Sequence, residues 1–192
     1  IFDQMHAQGL LPQQVRHDSD RFLLESAAIL HNVGLSISHS GYHKHSYYII
    51  KNSELLLGLT ALEVETIALI ARYHRKKTPH KKDDEFDTAA TAALRKKVEC
   101  LCSILRIAVA LERGGMQDVA GVKLVSERSR VVMFVQAAAE ESVSGSDRRF
   151  KDVSLEMFAA TLEDAYFHTT FGKNLQIVEL VDAPSPVPVA SS

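Results

Sequence analysis

The chain has no tryptophan, only two cysteines, and no apolar run approaching the ~20 residues needed to span a bilayer. Nor does it show a secretory leader, so a membrane partner is not expected. Cys100 and Cys102 stand two apart in a helical pattern, so their side chains diverge. They form neither a disulfide framework nor a CxxC metal motif, and reduced thiols in a cytoplasmic protein are the expectation. Charge of one sign is also lacking. Twenty-two Lys and Arg face 24 Asp and Glu, for a net charge of -2. That balance argues against the broad basic surface of a general nucleic-acid binder. No Gly-rich loop is built to cradle phosphate, and no strained elbow or acidic partner frames Ser36, Ser38 and Ser40 near His39 and His43. No catalytic residue is assigned from the sequence. Proline is scarce until the end, where residues 182–192 hold three of the five and predict a disordered tail.

What is present is apolar periodicity, with 46% hydrophobic residues to support a core. Phe22, Leu23, Ala27, Leu30 and Val33 predict a helix over 19–33, capped by Ser19 or Asp20 and stopped by Gly34. A second helix is expected over 43–52. Thr60 and Glu63 form a capping box that starts a third, with Ile67, Ile70, Ala71 and His74 on one stripe. A fourth, over 89–113, should turn Leu94, Val98, Leu101, Leu105, Ala108 and Leu111 inward and end at Gly114-Gly115.

The character then changes. The runs 122–126 and 131–137 are β-branched and predict a hairpin, and 140–151 reads as a polar loop. Leu155, Phe158, Ala159 and Leu162 give helical spacing over 154–167, and 175–180 reads as a strand. The expected fold class is α+β, with an all-helical domain over 1–115, a small ββαβ unit over 116–181 and the tail at 182–192.

Three histidine-bearing segments carry the chemistry: His31-Asn32, His43-Lys44-His45-Ser46, and Arg72-Tyr73-His74-Arg75-Lys76. Arg72, Arg75, Lys76, Lys77, Lys81 and Lys82, with His74 and His80, crowd eleven residues. Guanidinium and ammonium groups in such an array suit a polyanion. His43, Lys44, His45 and Lys51 form a second group. A solvated helix end is the rival explanation, since Asp83, Asp84, Glu85 and Asp87 follow at once and could neutralise the patch.

The spacing of these segments resembles an HD-type phosphohydrolase domain. Leu30-His31-Asn32-Val33-Gly34, the run from His39 to Ser46, Ile70-Ala71-Arg72-Tyr73-His74-Arg75-Lys76, Leu105 to Arg113, and Phe171-Gly172 resemble, more narrowly, the C-terminal half of the exopolyphosphatase / guanosine pentaphosphate phosphohydrolase family. That resemblance implies two upstream actin-like domains, which hold the Mg2+-assisted cleavage of phosphoanhydride bonds. The opening residue Ile1, inside an apolar helical pattern, fits a fragment of such a longer protein. The resemblance also implies phosphate contacts from His31, His43, Lys44, His45, Arg72, His74 and Arg75, a substrate of polyphosphate or guanosine pentaphosphate, and a homodimer.

Two letters depart from the HD pattern. Asn32 replaces the paired Asp, and Val109 stands where a late Asp is expected. An amide cannot neutralise metal charge as a carboxylate does, so neither a metal centre nor any cofactor is expected in this chain. Two alternatives follow: a free-standing metal phosphohydrolase with replacement ligands, or a non-enzymatic phosphate sensor.

Overall fold

The computed structural model describes residues 1–75, 77–80, 91–140 and 149–180. Lys76, Lys81, Lys82, the acidic residues at 83–87 and the tail at 182–192 therefore lie outside the described residues. The fold is α+β. Five helices come first: α1 (Phe2–Ala7), α2 (His17–Leu30), α3 (Tyr42–Lys51), α4 (Ala61–Tyr73) and α5 (Thr91–Ala110), with a 3-10 turn at Val33–Ser36. Strands β1 (Val119–Ser126) and β2 (Arg130–Ala137) follow, then α6 (Ser154–Thr161), α7 (Asp164–Phe171) and β3 (Asn174–Glu179).

Helix α4 is the hub. The capping box forms as expected, with the Thr60 amide donating to Glu63 at 2.7 Å and the Glu63 amide donating to the Thr60 hydroxyl at 3.3 Å. From Thr66 to Ala71 every residue is buried, as is Tyr73. A helix apolar on all sides has to be enclosed, and α2, α3 and α5 pack around this one. Helix α2 starts earlier than predicted, at His17, and no side chain caps Arg16. Asp20 instead reaches back to accept from the Arg16 amide at 2.6 Å. Its other oxygen lies 2.8 Å from Lys97 Nζ, within ion-pair distance though outside hydrogen-bond geometry. This pairing accounts for a carboxylate with no exposed surface.

The sheet has the order β1-β2-β3. β1 and β2 form the expected antiparallel hairpin, whereas β3 runs parallel to β2. A parallel return requires a crossover, and α6 with α7 supplies it. β2 is central, with Val131, Val132, Met133, Val135 and Ala137 all buried. One continuous apolar cluster joins Phe2 and Met5 of α1, the face of α4, Leu101 and Leu105 of α5, Val131 and Met133 of β2, and Phe167 of α7.

Several expected orientations are corrected. The single helix predicted over 154–167 is two helices, and its stripe faces outward, with Leu155 55%, Phe158 65% and Leu162 65% exposed. The inner face belongs to Glu156 and Ala160, because the Glu156 carboxylate accepts from the Gly114 amide at 2.9 Å and closes the turn after α5. Ala108 is exposed, since Ile104 and Ile107 take the inward positions. Gly34 does not stop a helix through a left-handed backbone. It lies within the 3-10 turn, where a Cβ would fall 2.2 Å from the Tyr42 carbonyl oxygen and 2.4 Å from the Ser46 nitrogen. The reason for glycine there is close approach to α3.

Helix α1 is tied to the sheet by two glutamines. Gln4 Nε2 donates to the Val122 carbonyl at 2.8 Å, and its Oε1 accepts from Leu124 N at 2.7 Å. Gln8 repeats this one step along, with Nε2 to the Leu124 carbonyl at 2.9 Å and Ser126 N to Oε1 at 2.6 Å. Among the described residues no helix is long and apolar enough to cross a membrane.

Candidate functional site

The ends of α2 and α4 and the start of α3 meet, and each brings a histidine. His31 is the C-cap of α2, His74 is the C-cap of α4, and His43 lies in the first turn of α3. The rings of His31 and His74 stand edge to face with centroids 4.9 Å apart. Tyr42 joins them, its hydroxyl 3.1 Å from His74 Nε2. Arg75 lays its guanidinium over the Tyr42 ring, 5.2 Å from the centroid.

Local hydrogen bonds set the tautomers. His74 Nδ1 is 2.6 Å from the Ala71 carbonyl and His31 Nδ1 is 2.7 Å from the Ala28 carbonyl. A carbonyl only accepts, so both Nδ1 atoms carry the proton and both Nε2 atoms keep a lone pair. At His74 that lone pair accepts from the Tyr42 hydroxyl. Burial dominates the titration of both rings. It pulls His74 down to about 4, outweighing the Ala71 bond, with His31, His43 and Arg106 adding smaller pushes in the same direction. It lowers His31 as well, against a smaller upward effect of the Ala28 bond. At neutral pH these are uncharged rings.

The remaining candidates divide. Arg72 belongs to a different group, with its guanidinium carbon 4.9 Å from the Tyr47 centroid and 5.7 Å from that of Tyr73. Tyr47 donates to Glu65 at 3.0 Å, and Lys51 pairs with the same carboxylate at 3.0 Å. Lys51 is thus a neutralised structural cation. Lys44 is exposed, and His45 packs against Gly34. Of the seven candidates, direct contacts or electrostatic coupling link His31, His43, His74 and Arg75, and set Arg72 apart with Tyr47.

Two residues were missed in the sequence. Tyr42 sits inside the quoted run from His39 to Ser46, where its neighbours drew attention as ligands. The other is Arg106, in the helical run beside the cysteines. It is mostly buried, donating to Glu163 at 2.7 Å and lying 4.8 Å over Tyr166. Both cysteines are fully buried, and desolvation pushes the Cys100 thiol up to about 12 and Cys102 higher still. A thiol that stays protonated is not an activated one.

The described residues do not fit a divalent metal. No group of three or more His, Cys, Asp or Glu among them is placed to hold an ion. Asn32 is exposed and Val109 is half-buried, and neither position brings a carboxylate to the imidazoles. What the arrangement offers is a guanidinium, a phenol and neutral imidazoles around the uncapped first turn of α3.

Comparison with known proteins gives several matches. Over 97 residues the chain is 35% identical to the guanosine-5'-triphosphate,3'-diphosphate pyrophosphatase of Pseudoalteromonas translucida (strain TAC 125), a match covering 50% of this chain and 18% of that protein. The chain therefore spans less than a fifth of the length of this curated relative. Residues 1–141 match the family described as Ppx/GppA phosphatase, domain III. With most of its length in that match, the chain belongs to the Ppx/GppA phosphatase family.

Proposed function

We propose that this chain is the HD-like, substrate-holding part of an exopolyphosphatase or guanosine pentaphosphate phosphohydrolase-type enzyme, and that it binds the phosphate chain rather than cutting it. The observation that carries this reading is the position of Arg75 over Tyr42. That pair sits at the N-terminus of α3, which spans ten residues and has no side-chain cap. Backbone amides at a helix start and an adjacent guanidinium together favour an anion. His74 and His31 stand beside the pair as neutral rings with their Nδ1–H groups committed to backbone carbonyls, so they position Tyr42 and add no charge.

In this reading phosphoanhydride cleavage, with Mg2+, belongs to actin-like domains outside this chain, in a cytoplasmic enzyme that works as a homodimer. The chain alone hydrolyses neither polyphosphate nor guanosine pentaphosphate. The supporting facts are the family match and the lack of carboxylates at Asn32 and Val109.

Calorimetric titration with inorganic tripolyphosphate tests the binding claim. Binding should weaken as salt rises. Arg75→Ala should lose about tenfold in affinity, while Lys123→Ala, which removes an exposed cation on β1, should lose little. Equal losses from the two would reduce the effect to general charge and overturn the site.

A further inference from the structure

The loop between α3 and α4 carries Leu55-Leu56-Leu57 and splits them. Leu56 packs toward the core with Leu59, while Leu55 and Leu57 are each 88% exposed. Beside them runs the outer face of α2, where Phe22 and Ile29 share one side of the helix and are 50% and 79% exposed. Between loop and helix lies an open groove of about 320 Å3, also lined by Leu30, Leu56 and Ile67, with Ser26 as its one polar residue. Consecutive leucines on a loop, set against an apolar helix stripe, mark an interaction surface rather than scattered single side chains. A small ligand suits it poorly. Ligand sites enclose most of their occupant, whereas here the walls themselves stand in solvent. A chain segment lying along the groove would cover all four wall residues.

Helix α1 shows where such a segment arrives. Its first turn rests on the first turns of α2, with the Phe2 ring 5.9 Å from that of His17 and Asp3 3.4 Å from Arg21. The Ile1 amine lies near enough to Arg21 to feel its charge. Arg21 is the neighbour of Phe22, so a residue preceding Ile1 starts beside one end of the groove. From Phe22 to Ile29 is about 10 Å along α2, which about three extended residues span. The matched segment takes up 18% of the curated relative, so a parent of that length has ample chain to place there. A segment tethered this closely has an effective concentration in the millimolar range, well above that of a free second copy.

We propose that the groove walled by Phe22, Ile29, Leu55 and Leu57 is an interdomain seat, filled by an apolar segment that precedes Ile1 in the longer parent protein. Large aliphatic or aromatic side chains of that segment meet the four walls. Ile29 stands two residues before His31, so filling the seat also fixes how the histidine cluster faces the rest of the parent. The inference rests on the reading that further domains precede Ile1, and not on phosphate binding.

The test compares the 192-residue chain with the parent protein, each carrying Ile29→Cys or Leu57→Cys. Both are treated with iodoacetamide, and adducts at the new cysteine are counted by mass spectrometry over time. Cys100 and Cys102 are buried and do not compete. Each new cysteine should react fast in the short chain and about tenfold or more slowly in the parent, with the protection unchanged on dilution. Adding Leu55→Glu/Leu57→Glu to the Ile29→Cys parent should restore fast labelling and leave the short chain's rate as it was. Equal rates in short chain and parent overturn the seat, as does protection of Ile29→Cys that survives the two glutamates. Protection that fades on dilution, or that appears in the short chain as its concentration rises, assigns the groove to a second copy and overturns it too. Tripolyphosphate binding by the short chain is read separately, so the seat can fail while the phosphate reading stands.

Discussion

The amide of Gly34 donates to the Ser46 hydroxyl at 2.9 Å, and that hydroxyl in turn donates to the His31 carbonyl at 2.7 Å. One fully buried serine thus fastens both sides of Asn32 to α3 and fixes where His31 stands. Gly34→Ala places a methyl 2.2 Å from a backbone oxygen, which a rotamer change cannot relieve. The expected cost is about 3 kcal/mol or more, read as a lower urea midpoint. Ser46→Ala should cost about 1–3 kcal/mol by stranding a buried donor and acceptor. A Gly34→Ala protein as stable as wild type would show that the two segments do not approach in this way.

His74 makes stability depend on acidity. Burial holds its folded value at about 4, below the ordinary 6.5. The unfolded chain therefore takes up the proton first. The contribution of the neutral ring is complete above pH 6.5 and is lost as pH falls from there toward 4. The loss is about 3 kcal/mol, and His31 adds to it in the same direction. Denaturation curves between pH 7 and pH 4 should show His74→Gln losing less stability than wild type over that interval. An NMR titration of His74 with a midpoint near 6.5 would contradict the burial argument.

Arg72 and Arg75 should not behave alike toward polyphosphate. Each charge-assisted contact is worth roughly 1.5–3 kcal/mol before screening. Arg75→Ala should accordingly weaken long-chain polyphosphate binding by about tenfold or more at low salt. Arg72→Ala should act mainly on stability, by about 0.5–1 kcal/mol, through the lost contact with Tyr47. The pair Lys81→Ala/Lys82→Ala should change binding little. A filter or calorimetric assay at two salt concentrations decides this, and similar losses from all three would point to a diffuse charge effect.

Local signals read well from the sequence and tertiary ones did not. The Thr60–Glu63 box lies within one helical turn, so its partners are fixed by spacing alone. The hairpin needed only two β-branched runs and a turn. Leu155, Phe158 and Leu162 also have helical spacing, but which face of α6 turns inward is decided by Glu156 meeting the distant Gly114. Gly34 looks like any helix stop until α3 is seen against it. The histidines were legible as a group, because the run from His39 to Ser46 is unusual. Arg75 was not separable from Arg72, since where the chain turns after the C-cap at His74, and so which aromatic each arginine meets, is decided by packing.

The cysteines offer a simple chemical check. With both thiols buried and held protonated, iodoacetamide at pH 8 should leave the native chain unlabelled over hours and label two sites in urea. Mass spectrometry counts the adducts. Rapid single labelling of the native chain would place one cysteine at the surface.

Gln4 and Gln8 occupy alternate hydrogen-bonding positions along β1, each amide standing in for one peptide unit of a neighbouring strand. Between Val122 and Ser126 the outer margin of the sheet is therefore already paired, and another polypeptide could bind there only by displacing α1. Replacing both glutamines with alanine would expose those amides and carbonyls while leaving the buried Phe2 and Met5 anchors in place. A folded monomer would then carry a strand competent to recruit a second chain, and self-association, rather than unfolding, would be the first sign of the lost amides.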